Sequence, residues 1–355
     1  MAAPNIPDHF EEQAGWCRQL GSPFTAELLM AMRADFMIGG VVHTLVGDWA
    51  GNPRADALGL RLAGALHFLV LSGQSTALAD VYPKGETGWD MEIVWPVAND
   101  VLLDHQGWVL EFIQSAPQTN ETRRAFMLLI GLKTIAKRFG QPIHLLELGG
   151  SAGLNQNFDA FHYDAGSWQW GDPASPMKVT TEWDGDAPDL SAPLTIQSRK
   201  ACDLNPLDIS DPATRLRVKS YVWADQPERL NRFDAAADIA IERGTKVEKA
   251  DAADWLKDEL ANRPDNAVTV IFHSVFFQYP PLDVRQDIIG QIETAGGAAS
   301  PTAPVCWLRY EPGNLWDRST VLNANNMVCD LRIWPGDEHI TLARSDGHVR
   351  KVEAL

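Results

Sequence analysis

Apolar and polar positions follow two different rhythms along this 355-residue chain, and the change falls near residue 140. Before it the rhythm is helical. Ser22-Pro23 reads as a helix start, followed by apolar Leu28, Leu29, Met32 and Phe36 until Gly39-Gly40 stops it. Between Arg54 and Leu71, the spacing of Leu58, Leu62, Leu66 and Leu69 puts them on one side of a core-facing helix. Asn99–Ile113 predicts another. Asn120 is placed to cap a helix from Glu121 to Phe139 that carries Phe126, Met127, Ile130 and Ile135.

From Ile143 onward, short apolar runs alternate with amphipathic stretches. Strands are predicted at Ile143–Leu148, Leu194–Arg199, Lys246–Ala250, Val268–Phe272 and Val305–Tyr310. Helices are predicted over 212–243, with a break near Pro227, and at Ala253–Leu260 and Asp283–Ala295. Residues 163–192, rich in Trp, Gly, Asp and Pro, look like an insertion. The last runs, Leu331–Trp334, Ile340–Ala343 and Val349–Val352, read as an antiparallel meander with turns at Pro335-Gly336 and Asp346-Gly347. Repeated strand–helix units imply a parallel sheet with right-handed crossovers, hence an α/β fold.

Composition narrows the function classes. Thirty Lys+Arg against 47 Asp+Glu give a formal net charge of −17, and no basic run interrupts it. Such a surface repels phosphate backbones, so a small-molecule substrate is expected and nucleic acid is not. No apolar run approaches the ~20 residues of a membrane span, and the N-terminus lacks a basic segment followed by an apolar core. Cys17, Cys202, Cys306 and Cys329 are scattered, without metal-ligand spacing. They read as reduced thiols of a cytoplasmic protein that holds no metal.

The candidate chemistry gathers at Glu147-Leu148-Gly149-Gly150-Ser151-Ala152-Gly153-Leu154-Asn155, between the first strand and an amphipathic segment running from Ala152 to about Phe161. Strand, small-residue loop and helix suit a nucleotide-type cofactor. Glycines admit close backbone approach, and a helix N-terminus offers unpaired N–H groups. As a G-x-G-x-x-G fingerprint the loop fails, because Ser151 and Leu154 stand where the second and third glycines belong. As a G-x-S-x-G nucleophile elbow it matches literally. Ser151 would then be the nucleophile of a serine hydrolase, with Asp251 and either His273 or His339 as partners. That fold needs strands before its nucleophile strand, whereas the first 140 residues read as helical. The plainest alternative is a turn whose glycines only permit tight packing.

Five strands alternating with helices and closed by an antiparallel hairpin resemble the class I S-adenosylmethionine (SAM)-dependent methyltransferases, over about residues 118–355. The acid two positions before Gly149 strengthens the likeness, since in those enzymes it lies near the methionyl end of the cofactor. The resemblance implies a Rossmann-like methyltransferase domain over 141–355, with the insertion near 163–192, preceded by a helical region over 1–140. It implies cofactor contacts from Glu147, Gly149, Gly150, Ser151, Ala152, Gly153 and Asn155. Asp203, after the second strand, would bind the ribose hydroxyls. The insertion lengthens the spacing before it, which keeps Asp159 and Asp164 as substitutes. Asp251 and Ala252 would meet the adenine. His273, after the fourth strand, would touch cofactor or substrate and could act as a general base. A buried histidine bonded to backbone is the alternative there, and a lone Asp is more often a helix cap than a ligand. Trp223, Gln226, Gln278 and Tyr279 are further cleft candidates, with ordinary packing or exposure the plainer reading of each.

In closer detail the chain resembles a bacterial family known as domain of unknown function 2332. The matching blocks are Gln118-Thr119-Asn120-Glu121, the Glu147–Asn155 loop, Cys202 through Asp208, Val222-Trp223-Ala224-Asp225-Gln226, Phe272-His273-Ser274-Val275 and Trp334-Pro335-Gly336. That family implies a fold and no activity. The expectation is a SAM-dependent methyltransferase acting on a small molecule. A serine hydrolase and a non-catalytic ligand-binding module of the same fold are the alternatives.

Overall fold

The computed structural model describes residues 5–315 and 326–355. Helices come first: α1 (Ile6–Gln19), α2 (Pro23–Met37), α3 (Val41–Val46), α4 (Leu58–Leu71), α5 (Thr76–Val81), α6 (Met91–Asp104) and α7 (Gln106–Phe112). α8 (Ala125–Phe139) precedes β1 (Ile143–Leu148), and the short strands β2 (His162–Asp164), β3 (Gln169–Trp170), β4 (Lys178–Thr180) and β5 (Glu182–Asp184) follow. Then come β6 (Ile196–Asp203), α9 (Pro212–Ser220), α10 (Pro227–Glu242), β7 (Glu248–Lys249), α11 (Ala252–Ala261), β8 (Val268–Ser274) and α12 (Leu282–Gly297). The chain closes with β9 (Val305–Pro312), β10 (Met327–Trp334), β11 (Glu338–Ser345) and β12 (Lys351–Ala354).

These elements form two compact units, Met1–Thr119 with Ile209–Asp234, and Asn120–Asp208 with Ala235–Leu355. The first is helical. Its helices begin as their sequences direct: Ser22 Oγ accepts the Thr25 N–H at the head of α2, and Pro23 fills the first turn, where its missing N–H costs nothing. The stretch read as one helix from Asn99 is two, α6 and α7, parted at His105. Phe10, Leu29, Met32, Leu62 and Leu66 are fully buried in the core, and Tyr221 and Trp223 join them from the later segment.

α8 belongs to the second unit, although its helical rhythm groups it by sequence with the N-terminal region. It packs on β9 and β10, and Gly131 makes the fit: a Cβ there would lie 2.4 Å from Leu308 Cδ1. Glu121, not Asn120, caps the 3-10 turn Thr122–Arg124 that leads into α8.

The second unit is an α/β fold around a nine-stranded sheet of order β5-β12-β11-β10-β9-β8-β1-β6-β7. From β7 to β9 all neighbours are parallel, β10 to β12 form the antiparallel meander, and β5 lies parallel to β12. β1 is interior, parallel to β6 and β8 on either side, and buried along its whole length. Burial on both faces is why its sequence is mostly apolar, with only His144 and Glu147 polar, instead of alternating. Among the described residues no strand precedes it. The chain runs from β1 outward through β6 to β7, then returns to the other side of β1 for β8 and β9. The order therefore reverses between β1 and β8, and open α/β sheets bind ligands outside the carboxyl ends of strands at such a point. Of the insertion, β2, β3 and β4 make a separate three-stranded sheet.

Candidate functional site

The carboxyl edge of β1 ends in Glu147 and Leu148, and the glycine loop turns away from it. The loop is held from β6. Gly149 and Gly150 both donate their N–H to the carbonyl of Cys202, at 2.9 and 3.0 Å, and Ser151 N–H donates to Asp203 Oδ2 at 2.9 Å. Gly153 N–H donates to Gly150 O, and Leu154 N–H to Asn120 Oδ1. Asn120 thus braces the loop instead of capping α8. Most of the loop amides are therefore committed within the protein and do not form an anion cradle.

The loop is also tightly covered. Gly149 and Gly153 have φ of +71° and +70°, a region that glycine enters without penalty. A Cβ on Gly149 would lie 2.3 Å from the Phe276 ring, and one on Gly153 would lie 2.9 Å from Thr245 and Val247. Ser151 itself has φ of +54°, and across the switch point Val275 has φ of +53°, an outlier for a β-branched residue. Local strain of this kind collects at functional sites and is held by the surrounding structure.

The amphipathic segment after the loop is not an α-helix. It is a 3-10 turn over Leu154–Ala160 with a kink at Asn157. Asn157 Nδ2 reaches back to the carbonyls of Gly153 and Leu154 and across to Thr245 Oγ1. Such side-chain bonds compete with the helical ladder. The loop therefore lacks the dipole of a long helix that its sequence suggests.

Glu147 is the most perturbed group at this edge. It is 3% exposed, and its Oε2 is buried without a hydrogen-bond partner. Burial first, and the neighbouring Asp203 carboxylate second, push its pKa up to about 8. Ser151 Oγ and Asn155 Oδ1 are likewise buried and unpartnered, and Asn155 Nδ2 donates to Glu121 O. Asp203 stands at the end of β6, where each carboxylate oxygen accepts one amide, Ser151 N–H on Oδ2 and Asn205 N–H on Oδ1. Asp251 follows β7 and caps α11, its Oδ1 accepting from Ala253 and Asp254 N–H, while Ala252 is buried in the core. Glu147, Asp203 and Asp251 thus close three successive neighbouring strands at one edge.

His273 is brought to this edge but turned inward. β8 runs two residues beyond its predicted end, so His273 lies within the strand and is fully buried. Trp307 Nε1–H donates to its Nε2 at 3.0 Å, and Nδ1 lies 2.6 Å from Glu311 Oε1. An indole N–H only donates, so Nε2 holds the lone pair and Nδ1–H donates to Glu311. The ring also stacks on Phe277 at 4.4 Å. With both nitrogens taken and no exposure, His273 has the form of a structural histidine, not of a general base. Ser151 Oγ has no hydrogen-bond partner among the described residues, and His339 is engaged with Arg309 and Asp330 on β9 and β10.

Glu311 is the residue that sequence reasoning missed. It is 6% exposed, and its Oε1 gathers His273 and the N–H groups of Phe276 and Phe277, while Oε2 is buried without a partner. It clamps the loop that lays Phe276 on Gly149. An acid directly after the predicted strand Val305–Tyr310 was the available signal, as Asp251 follows the predicted strand Lys246–Ala250.

The remaining candidates lie elsewhere. Asp159 is bound by Arg199 and Arg243, and Asp164 accepts from Gly166 N–H and Gln169 in the small sheet. Trp223 belongs to the core of the helical unit, where Gln226 bonds the carbonyls of Leu20 and Gly21. Tyr279 is 71% exposed. The four cysteines are buried thiols. Among the described residues no cluster of His, Cys, Asp and Glu could hold a metal, and no helix is long and apolar enough to cross a membrane.

Residues 7–354 match the model of a family described as an uncharacterized protein conserved in bacteria (DUF2332). No curated protein and no solved structure matches the chain.

Proposed function

We propose, for a chain that belongs to the DUF2332 family, that the carboxyl edge of its parallel sheet binds S-adenosylmethionine and serves methyl transfer to a small molecule. The observation that carries this reading is the row of acids Glu147, Asp203 and Asp251 at the ends of β1, β6 and β7, the first buried with an unpartnered oxygen. When bound, the cofactor supplies an electrophilic methyl group on a sulfonium. Glu147 is the group suited to the positive charge at the methionyl end, because its uncompensated burial is relieved by a cation. Asp203 has one amide on each oxygen, and a carboxylate has about four lone-pair sites, so acceptor capacity remains for ribose hydroxyls. Asp251 uses Oδ1 to cap α11 and can offer Oδ2 to an exocyclic amine. The protein's contribution to transfer is then to hold an acceptor in line with the methyl group and to exclude water.

The inward turn of His273 favours a second reading, in which the same site binds its ligand and does no chemistry. Isothermal titration with SAM and S-adenosylhomocysteine tests the first claim, with saturable binding expected for both. Failure of both to bind at millimolar concentration rejects the cofactor. Binding without methyl consumption in the presence of small nucleophiles leaves the binding module. Fluorophosphonate labelling of Ser151 that Ser151→Ala abolishes overturns both in favour of the hydrolase.

A further inference from the structure

A concavity opens on the flank of β6 in the second unit. It encloses about 670 Å³ and is lined by Gln156, Arg199, Lys200, Arg243, Lys246 and Glu248, among others. That volume falls within the range of small-molecule sites. It exists because β7 is only two residues long and pairs with Cys202 and Asp203 alone, leaving the rest of that flank of β6 without a strand beside it. Its walls reverse the sign of the chain, which carries −17 overall. Arg199 grips Asp159 through two bonds of 2.9 Å, and Arg243 shares the same carboxylate at 2.7 Å. Lys200 is paired with Glu259. Lys246 has no ion pair among the described residues and is exposed. Counting Glu248, four cations face three carboxylates.

The second observation is Gln156. Its residue is 2% exposed, it lines the groove, and its Nε2 is buried with no acceptor. Nε2 is turned toward Gly153, where a Cβ would lie 3.2 Å from it, so Gln156 forms the floor of the groove and the cations its walls.

We propose that this groove binds a small oxyanion, phosphoryl or carboxylate, between Lys246 and Arg243. The proposal is independent of the cofactor reading. Thermal unfolding of the full chain would be followed against inorganic phosphate and, separately, acetate, each compared with sodium chloride at equal ionic strength. A saturable rise in Tm with either anion is expected. A response to phosphate alone assigns a phosphoryl ligand, and a response to acetate alone a carboxylate. Lys246→Ala, on an exposed side chain, should weaken the response at least fivefold, while Lys178→Ala on the small sheet should leave it unchanged. The absence of any rise above the chloride control, or an undiminished response in Lys246→Ala, overturns the proposal.

Discussion

Glu147→Gln should stabilise the ligand-free protein, and the gain should grow with pH. Burial, with a smaller contribution from Asp203, raises the Glu147 carboxyl from 4.5 to about 8. An acid whose folded pKa lies above its unfolded pKa holds its proton more tightly when folded. Its burial is therefore harmless below pH 4.5, where both states are protonated. The penalty grows as the pH rises through the window up to 8, because the unfolded chain releases the proton first, and it is constant above. Each pKa unit is worth about 1.4 kcal/mol, so the penalty is about 1 kcal/mol at pH 5, about 3 at pH 7 and about 5 at pH 9. Glutamine keeps the shape and cannot ionise. Urea denaturation of both proteins at those three pH values measures the gap between them. It should widen by about 4 kcal/mol from pH 5 to pH 9. A constant gap, or a variant less stable than wild type at pH 9, refutes the assignment of Glu147 as a buried, uncompensated acid. The same linkage bears on the ligand. A cation that lowers the Glu147 pKa on binding must show an affinity that rises with pH up to about 8.

Gly149→Ala should cost about 2–4 kcal/mol, from the left-handed backbone and from the new contact with Phe276. Adding Phe276→Ala should remove the contact part, so the two losses measured by denaturation will be less than additive; strict additivity would place Phe276 off the loop. Glu311→Ala should cost about 3 kcal/mol or more, because two amides and His273 Nδ1–H lose their acceptor, while Glu311→Gln, which keeps Oε1, should cost less. Equal losses in the two variants would show that Glu311 acts by charge and not by accepting those bonds.

The local architecture of the site was legible in the sequence. A mostly apolar run followed by small residues specifies an interior parallel strand, and Ile143–Leu148 is that strand. Glycines at 149 and 153 mark left-handed turns. Acids after successive runs mark strand ends on one edge, because parallel strands share a direction. The closing meander was readable from alternation and turn residues, and it is present.

Non-local packing fixes where each side chain goes once a strand is buried on both faces. Period-two alternation has no polar side to report there, so His273 looked like the first residue after a strand, when pairing with β9 extends β8 to Ser274. The ladder, a non-local term, turned the imidazole into the core. Asn120 and Glu311 followed the same rule. A capping-type residue and an acid after a strand each have several local uses. The choice fell to partners at positions 154, 273, 276 and 277, which no window of sequence contains. The domain boundary is likewise a matter of contacts. α8 carries the same helical rhythm as α1–α7, yet its small residue at 131 fits Leu308 of β9. Periodicity specifies that a helix buries one face; complementary shape elsewhere in the chain decides against what.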